Sequence, residues 1–220
     1  MSQKVLVLGA TGAVGGQALK ALLSRPGVEV TVLSRRKLDL EHPALAQHLV
    51  DVLDPTSYEA ILPGHQAALC ALGVGQPSKM SREEFLRVDR DAVLAFGQAC
   101  KSAGIPHFSL LSAVGSDAKS SFFYPRTKGQ LEDGLRAMSF ESLSLFQPSM
   151  ILTPTNRYGL MQGITLVVWP WLDTVLRGGL KKFRGVKVED LGSAMAADAL
   201  AHPPGVRSLS WDDFQIMKQL

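Results

Sequence analysis

The first residues of the chain form an apolar run that leads straight into regularly spaced glycines. Residues 4–8 read KVLVL, a short segment typical of a buried strand, and residues 13–23 carry apolar side chains at helical spacing. Gly9, Gly12 and Gly15 follow the strand at intervals of three positions. Glycines at a strand-to-helix turn allow a tight turn, close packing of the helix on the strand, and free backbone amides at the positive end of the helix. The segment therefore predicts a phosphate-binding turn in a first βαβ unit.

Strand-like and helix-like segments alternate along most of the chain. The apolar runs expected to be strands are residues 4–8, 28–33, 67–72, 107–111 and 143–146, and the segments with helical spacing are 13–23, 82–103 and 126–137. Such alternation predicts an α/β fold, a doubly wound parallel sheet (Rossmann fold) with helices on both faces and right-handed crossovers. Ligands bind such sheets at the carboxyl ends of the strands.

The pattern becomes less regular in the last third of the chain. We expect a single domain over residues 1–220, in which residues 151–220 form a small C-terminal subdomain on the substrate side. Met161, Trp169 and Trp171 are candidates for lining a substrate pocket there, and ordinary core packing is the alternative for each.

The most apolar stretch, residues 163–176, reads GITLVVWPWLDTVL. Pro170 and Asp173 interrupt it, and it is shorter than the roughly 20 residues that a membrane-spanning helix needs. The sequence therefore predicts no transmembrane segment, while contact of the tryptophans with a membrane surface stays open as an alternative.

Composition argues against several classes of protein. The net charge is only +3, and the basic residues are scattered without interleaved aromatic residues, so no nucleic-acid partner is expected. The chain has two cysteines, Cys70 and Cys100, in apolar contexts, and its five histidines lack ligand spacing, so neither a disulfide framework nor a metal site is expected. Reduced cysteines and the lack of an export leader favour a cytoplasmic location.

The turn and the ends of the following strands supply the predicted cofactor contacts. Arg35 lies at the end of the second predicted strand, where NAD-binding proteins place an acidic residue and where an arginine suits a 2′-phosphate. The next acidic residue, Asp39, falls in a predicted loop. The pattern therefore favours NADP(H), with surface charge as the alternative role of Arg35 and Arg36. The full set of predicted contacts is Gly9, Thr11, Gly12, Ala13, Val14, Gly15, Ser34, Arg35, Arg36, Asp51, Val52, Leu72, Gly73 and Lys128.

Three residues form a candidate catalytic group. Tyr124 and Lys128 are four positions apart, so they share a face if a helix begins near Pro125. An ammonium beside a phenol favours the phenolate and lowers the pKa of the tyrosine, which suits proton exchange with a carbonyl oxygen. Ser112 follows the fifth strand, where its hydroxyl can hold the substrate oxygen. The alternative is a tyrosine that anchors a helix start beside a solvated lysine.

The fingerprint glycines and these three residues resemble those of the short-chain dehydrogenase/reductase superfamily, particularly its extended or atypical branch. Residues 87–132 are similar to the branch of the Tat-interacting proteins, which has an NADPH-binding fold. The resemblance implies that Tyr124 is the acid/base, that Lys128 also binds the nicotinamide ribose, and that Ser112 orients the substrate.

Two further positions bear on this resemblance. Many members of the superfamily carry an asparagine that supports a proton relay at the position that Asp89 occupies here. Residues 188–195 resemble the late strand-to-helix turn of the superfamily, which favours one continuous fold to near the end of the chain.

Two functions are consistent with these features. The first is an NADPH-dependent oxidoreductase that reduces a carbonyl of a small, apolar substrate with Tyr124 as acid/base. The alternative is a non-catalytic NADP(H)-binding sensor or scaffold that acts through a protein partner. The sequence identifies no substrate, and it leaves a homodimer open.

Overall fold

Parallel strands form the main sheet of the protein, as seen in a computed structural model that describes residues 2–74, 80–153 and 176–219. Seven strands within these residues pair in the order β3-β2-β1-β4-β5-β6-β9, and all six pairings are parallel. Two short strands, β7 and β8, form a second parallel sheet. The strands are β1 Gln3–Leu8, β2 Val28–Ser34, β3 Leu45–Leu49, β4 Ala67–Cys70, β5 His107–Leu111, β6 Ser142–Phe146, β7 Met150–Leu152, β8 Gly185–Lys187 and β9 Gly205–Leu209.

Helices connect the strands. The α-helices of the described residues are α1 Ala13–Leu23, α2 Arg82–Leu86, α3 Ala92–Ser102, α4 Phe123–Ala137, α5 Val188–Ala201 and α6 Trp211–Met217. A π-helical turn, Arg87–Asp91, joins α2 to α3, and 3-10 turns lie at Pro55–Ser57, Glu59–Ile61 and Gly178–Phe183. With this element order, the predicted Rossmann-type α/β fold is confirmed.

Two apolar layers cover the two faces of the sheet. Side chains alternate along each strand, so Val5 and Val7 of β1 enter one core while Leu6 and Leu8 enter the other. The first core also contains the buried faces of α1 and α5, and the second contains those of α3 and α4. Buried on both sides, the central strands read as continuous apolar runs rather than as alternating patterns.

Helices α1 and α5 pack closely against one another over the first core. The contact depends on Gly192, because a Cβ atom there would lie 2.5 Å from the Cβ of Gln17 and 2.8 Å from the backbone nitrogen of Ala18. A residue without a side chain therefore lets the last long helix lie on the first, next to the glycine-rich turn.

Several predicted boundaries differ from the structure. The helix expected over residues 82–103 is interrupted by the π turn, in which the buried Asp89 forms an ion pair. The strand expected to reach residue 72 ends at Cys70, just before the backbone of Ala71 meets the glycine turn. Helix α4 begins at Phe123, three residues earlier than predicted.

The C-terminal segment contributes to the main fold. In the part of residues 151–220 that the structure describes, β9 pairs with β6 at one edge of the sheet, and α5 packs on α1. These elements extend the main sheet and its helical layer, and the substrate-side subdomain over residues 151–220 stays a prediction. The candidate pocket residues Met161, Trp169 and Trp171 lie outside the described residues.

Candidate functional site

The glycine turn brings backbone groups so close that side chains are excluded at two positions. Gly9 has φ +92°, and a Cβ atom there would lie 2.4 Å from the carbonyl carbon of Ala71. A Cβ on Gly15 would lie 2.3 Å from the carbonyl oxygen of Gly9. The glycines thus allow the end of β1, the start of α1 and the end of β4 to meet at one point.

The start of α1 has the features of an anion-binding site. Gly12 is the N-cap, no side chain caps the helix, and its first turn carries no acidic residue. The free amides and the helix dipole therefore present positive charge at the carboxyl end of the sheet. The free amides can donate hydrogen bonds to a dinucleotide pyrophosphate. The glycines of the turn let the backbone approach the pyrophosphate closely, because they carry no side chain.

One cavity of about 410 Å³ lies in front of this turn. It is bounded by the helix start, the end of β4, the residues after β5, and α4. Its lining residues are Thr11, Gly12, Ala13, Val14, Ala71, Leu72, Gly73, Val74, Asp89, Leu111, Ser112, Tyr124, Lys128, Ile151 and Thr153. The cavity therefore brings together the predicted cofactor residues Thr11 to Val14, Leu72 and Gly73 with the three candidate catalytic residues.

Of the remaining predicted cofactor residues, Gly9 and Gly15 form the glycine turn itself, and the others lie at or just past the ends of β2 and β3; none of these is among the residues that line the cavity. Ser34 is buried, and its hydroxyl donates to the carbonyl oxygen of Arg36 at 2.8 Å. Arg35 and Arg36 are exposed, and neither guanidinium has a hydrogen-bond or ion-pair partner among the described residues. The Asp51 carboxylate accepts from the Leu53 amide at 2.9 Å.

Val52, the last of these residues, is 5 % exposed and belongs to the second core. Its side chain therefore packs within the protein, and any contact with a cofactor would come from its backbone.

Helix α4 carries Tyr124 and Lys128 one turn apart. Tyr124 is 40 % exposed and its ring lies 5.9 Å from that of Phe85, whereas Lys128 is 4 % exposed. The Lys128 ammonium lies 3.1 Å from Oδ1 of Asp89. The other oxygen of Asp89 accepts from the Val74 amide at 2.8 Å. The lysine of the site is thus paired with a buried carboxylate.

The pKa of Tyr124 departs from the expectation. Partial burial is the main cause and raises the pKa above its ordinary value; Lys128 lowers it, and Asp89 opposes part of that lowering. The expectation from sequence considered only the ammonium, and it missed both the burial of Tyr124 and the carboxylate beside the ammonium. Tyr124 is therefore a phenol at neutral pH.

Ser112 is bonded to a residue that the sequence reasoning missed. Its hydroxyl donates to Oε1 of Glu132 at 2.5 Å, and the 4 % exposed Glu132 also accepts from Gln147 at 2.9 Å. A usable signal existed, because Tyr124, Lys128 and Glu132 follow one another at intervals of four and so share a face of α4. The Ser112 hydrogen is thus engaged by Glu132, and the Ser112 oxygen also lies 3.2 Å from the hydroxyl oxygen of Ser116.

Two further observations concern potential metal ligands and the cysteines. Ranges 2–74, 80–153 and 176–219 contain no group of three or more histidine, cysteine or acidic residues placed to hold a metal ion. Burial raises the pKa of the Cys70 thiol to about 12 and that of Cys100 well above its usual range.

A separate finding concerns membranes. Among the helices that the structure describes, none combines the length and the apolar character needed to cross a bilayer.

Curated relatives share most of this chain. Protein HTATIP2 of Rattus norvegicus is 37 % identical over 155 residues, which are 69 % of this chain and 64 % of the rat protein. Protein FMP52 of Candida albicans, named as mitochondrial, is 29 % identical over 182 residues, 80 % of each chain. The chain thus spans just under two thirds of the length of the rat relative.

Solved structures share the fold. MoeE5 in complex with UDP-glucose and NAD superposes with a TM-score of 0.72 at 19 % identity, covering 94 % of this chain and 76 % of MoeE5. A putative epimerase from Bacteroides thetaiotaomicron superposes with a TM-score of 0.61 at 20 % identity, covering 93 % of this chain and 94 % of the epimerase.

The expectation of a cytoplasmic location is corrected by these comparisons. FMP52 relatives from Candida albicans, Emericella nidulans and Lodderomyces elongisporus, 29–30 % identical to this chain, are all named as mitochondrial. Two buried, reduced cysteines exclude an oxidised, disulfide-rich protein, but they do not distinguish among reducing compartments, and the inference from cysteine content was therefore wrong.

A family model described as NAD(P)H-binding matches residues 9–143, more than half of the chain, and covers the glycine turn, helix α4 and every cavity-lining residue except Ile151 and Thr153. The resemblance to the Tat-interacting protein branch is confirmed by the rat relative, and the solved structures share the Rossmann fold. The chain belongs to the NAD(P)H-binding family of Rossmann-fold proteins.

Proposed function

We propose that the protein is an NADPH-dependent oxidoreductase that reduces a carbonyl group on a small, apolar substrate. The observation that carries the proposal is the single cavity of about 410 Å³ that both the anion-ready start of α1 and the side chains of Ser112, Tyr124 and Lys128 line. A cofactor phosphate bound at the helix start would place the rest of the dinucleotide along the end of the sheet, toward these three side chains.

The preference for NADPH over NADH is supported by the end of β2. Arg35 and Arg36 are exposed there, without partners among the described residues, and no acidic residue follows the strand until Asp39. A guanidinium can bind a phosphate through two parallel hydrogen bonds, so these side chains suit a 2′-phosphate.

The proposed chemistry divides between the cofactor and the chain. The reduced nicotinamide supplies a hydride to the carbonyl carbon, leaving an alcohol and the oxidised cofactor. The Tyr124 phenol donates its proton to the carbonyl oxygen, and the resulting phenolate regains a proton from solvent. Because the pKa of Tyr124 is raised by burial, the residue holds the proton that this reaction consumes.

Lys128 and Ser112 position the reacting groups in this scheme. The Lys128 ammonium lies at the cavity wall and has three N–H donors, so it can bind ribose hydroxyls while it keeps its contact with Asp89. Ser112 lies at the end of β5, and its hydroxyl must turn from Glu132 to donate to a substrate oxygen. The apolar residues Leu72, Val74, Leu111 and Ile151 favour an apolar substrate.

The first test is calorimetric titration of the protein with NADPH and, separately, with NADH. We expect NADPH to bind at least about ten times more tightly, a difference of about 1.4 kcal/mol. Arg35→Ala should remove this preference while leaving NADH binding unchanged. Lys37→Ala, which alters an exposed side chain of the same turn, is the control. Equal affinities in the wild type would contradict the proposed choice of cofactor.

The second test addresses turnover. A panel of small apolar aldehydes and ketones is incubated with the protein, and NADPH consumption is followed. Tyr124→Phe should abolish consumption and leave NADPH binding intact, since it removes only the phenol hydroxyl. Consumption that persists in Tyr124→Phe would exclude Tyr124 as the acid.

A second candidate function is a non-catalytic NADP(H)-binding sensor that acts through a protein partner. It is favoured by one observation: the Lys128 ammonium is paired with Asp89, and the Ser112 hydroxyl is bonded to Glu132, so both groups are engaged within the protein. This alternative would be supported if the protein bound NADPH tightly but consumed no carbonyl in the panel. It would be supported further if Tyr124→Phe retained biological activity.

A further inference from the structure

We propose that Asp89 is a positioning residue: its carboxylate holds the Lys128 ammonium at the wall of the cavity and offsets part of its charge, so that the lysine attracts a Tyr124 phenolate less strongly and the site favours donation of a proton. The inference rests on the proposed function for its meaning, since it explains how Tyr124 comes to serve as the acid of a reduction. The contacts themselves do not depend on which substrate is reduced.

The backbone holds Asp89 firmly in this place. The residue lies in the π turn Arg87–Asp91 and is 2 % exposed. A π turn inside a helix is uncommon and frequently occurs at a functional site. Both carboxylate oxygens are used, Oδ1 by Lys128 at 3.1 Å and Oδ2 by the Val74 amide at 2.8 Å. Gly73 leaves room for this contact, because a Cβ atom there would lie 3.1 Å from Oδ1.

The Lys128 ammonium is in turn held by its ion pair with Asp89. Its side chain is 5 % exposed, and Asp89 is its partner among the described residues. A buried cation next to a buried anion acts on a third group as a dipole rather than as a full charge. The attraction that Lys128 exerts on a Tyr124 phenolate is therefore opposed by repulsion from Asp89.

The other titratable and charged groups around this pair leave that balance intact. Glu132, two turns beyond Tyr124 on α4, is hydrogen-bonded to Ser112. Arg82 on α2 lies over the Phe123 ring, with its guanidinium carbon 5.2 Å from the ring centroid. Cys70 at the end of β4 has its thiol pKa raised by burial to about 12, so it is uncharged at neutral pH.

The arrangement has a consequence for pH dependence. Reduction needs the phenol, so its rate should not change with the ionisation of Tyr124 across the neutral range. Oxidation of an alcohol needs the phenolate, so its rate should rise about tenfold per pH unit until the pKa of Tyr124 is reached. A neutral side chain at position 89 should bring this rise to lower pH.

The experiment is an NMR titration of protein labelled with 13C at the tyrosine Cζ, with the Tyr124 signal assigned by its loss in Tyr124→Phe. Asp89→Asn keeps oxygen and shape but removes the charge. We expect it to lower the ionisation midpoint of Tyr124 by about one pH unit or more. A midpoint that stays at the wild-type value, in a folded Asp89→Asn protein, overturns the proposal.

Asp91→Asn is the matched control. Asp91 belongs to the same π turn and is paired with the neighbouring Arg90 at 2.7 Å, with half of its side chain exposed. It should leave the Tyr124 midpoint unchanged. An equal shift in Asp91→Asn would show that any loss of acidic charge in this turn has the same effect, and would overturn the specific role of Asp89.

A second pair of variants covers the case in which Asp89→Asn does not fold. Lys128→Gln leaves Asp89 unopposed and should raise the Tyr124 midpoint, and the double variant Asp89→Asn/Lys128→Gln, which has no buried charge at either position, should return it toward the wild-type value. Equal midpoints in Lys128→Gln and the double variant would overturn the proposal. These titrations use neither cofactor nor substrate, so a failure to find turnover refutes the proposed function without deciding the role of Asp89.

Discussion

The hydroxyl of Ser112 donates its hydrogen to the carboxylate of Glu132 over 2.5 Å, a length typical of a charge-assisted hydrogen bond. Because Gln147 also donates to Glu132, we expect Glu132→Ala to lower the free energy of unfolding by about 2–3 kcal/mol, leaving the buried Ser112 and the partly buried Gln147 without this acceptor. Chemical denaturation measures the change. Asp133→Ala, at the exposed next position, should change stability by no more than about 0.5 kcal/mol. Equal losses in both variants would contradict the expectation.

The glycine turn gives a prediction about cofactor binding. In Gly15→Ala, the new methyl would lie 2.3 Å from the carbonyl oxygen of Gly9, and this backbone atom cannot move without shifting the turn. We expect NADPH affinity to fall at least about tenfold, or about 1.4 kcal/mol. Gly179→Ala, where a Cβ would meet nothing within 4 Å, should bind NADPH as the wild type does. Unchanged calorimetric affinity in Gly15→Ala would show that the turn does not bind the cofactor.

A buried polar cluster at the other end of the sheet predicts a large effect on stability. Asp198 of α5 is fully buried, forms an ion pair with Arg207, and lies 3.1 Å from Nε2 of His107 and 2.6 Å from the hydroxyl of Ser109. We expect Asp198→Ala to destabilise the protein by about 3–5 kcal/mol, because it leaves Arg207 without its counter-ion. Thermal and urea denaturation would show the loss. Asp212→Ala, which breaks an exposed pair with Lys181, should cost at most about 1 kcal/mol.

The same cluster should make the fold sensitive to strong acid. Burial works to raise the pKa of Asp198, but His107, Ser109 and Arg207 outweigh it and hold that pKa below its ordinary value. A carboxylate of this kind contributes stability above its unfolded-state pKa of about 3.8, and the contribution is lost as the pH falls through its folded-state value. Urea midpoints measured between pH 5 and pH 3, roughly the range of carboxylate titration, should fall more steeply for the wild type than for any Asp198→Asn protein that folds.

From the position of His202 we expect a further loss of stability at mildly acidic pH. Burial lowers the pKa of His202 below its usual value of 6.5, so the unfolded chain binds the proton first as the pH falls. Stability from this group is therefore full above about pH 6.5 and declines below it. His202→Asn keeps a residue that tolerates the φ of +46° at the end of α5, and it should flatten the dependence of urea midpoints on pH. His42→Asn, which changes an exposed histidine, should not.

Much of the fold could be predicted from the sequence because its signals are local. The spacing of Gly9, Gly12 and Gly15 and the continuous apolar strands depend on neighbours in the chain, and the bounds of α1 agree with the prediction. The π turn has no such local signal, and the partner of its buried Asp89 is Lys128, which lies 39 positions away in the sequence.

The candidate site shows the same division. Periodicity placed Tyr124 and Lys128 on one helix face, and chain order placed Ser112 at a strand end. The direction of the Tyr124 pKa shift could not be predicted, because it depends mainly on the burial of the residue and also on a carboxylate from another element. The partner of Ser112 was missed for a different reason: Glu132 reads as an ordinary helical acid until its burial is known.

Strand β5 connects two regions of very different character. His107 at its start belongs to the buried cluster of Asp198, and Ser112, just past its end, faces the cavity, about 17 Å away at the usual rise of a strand. The acid sensitivity of the fold and the proposed chemistry of the site thus depend on opposite ends of this strand. Replacement of the His107–Asp198 cluster with apolar side chains should therefore make the stability of the fold less sensitive to acid and leave the candidate site unchanged.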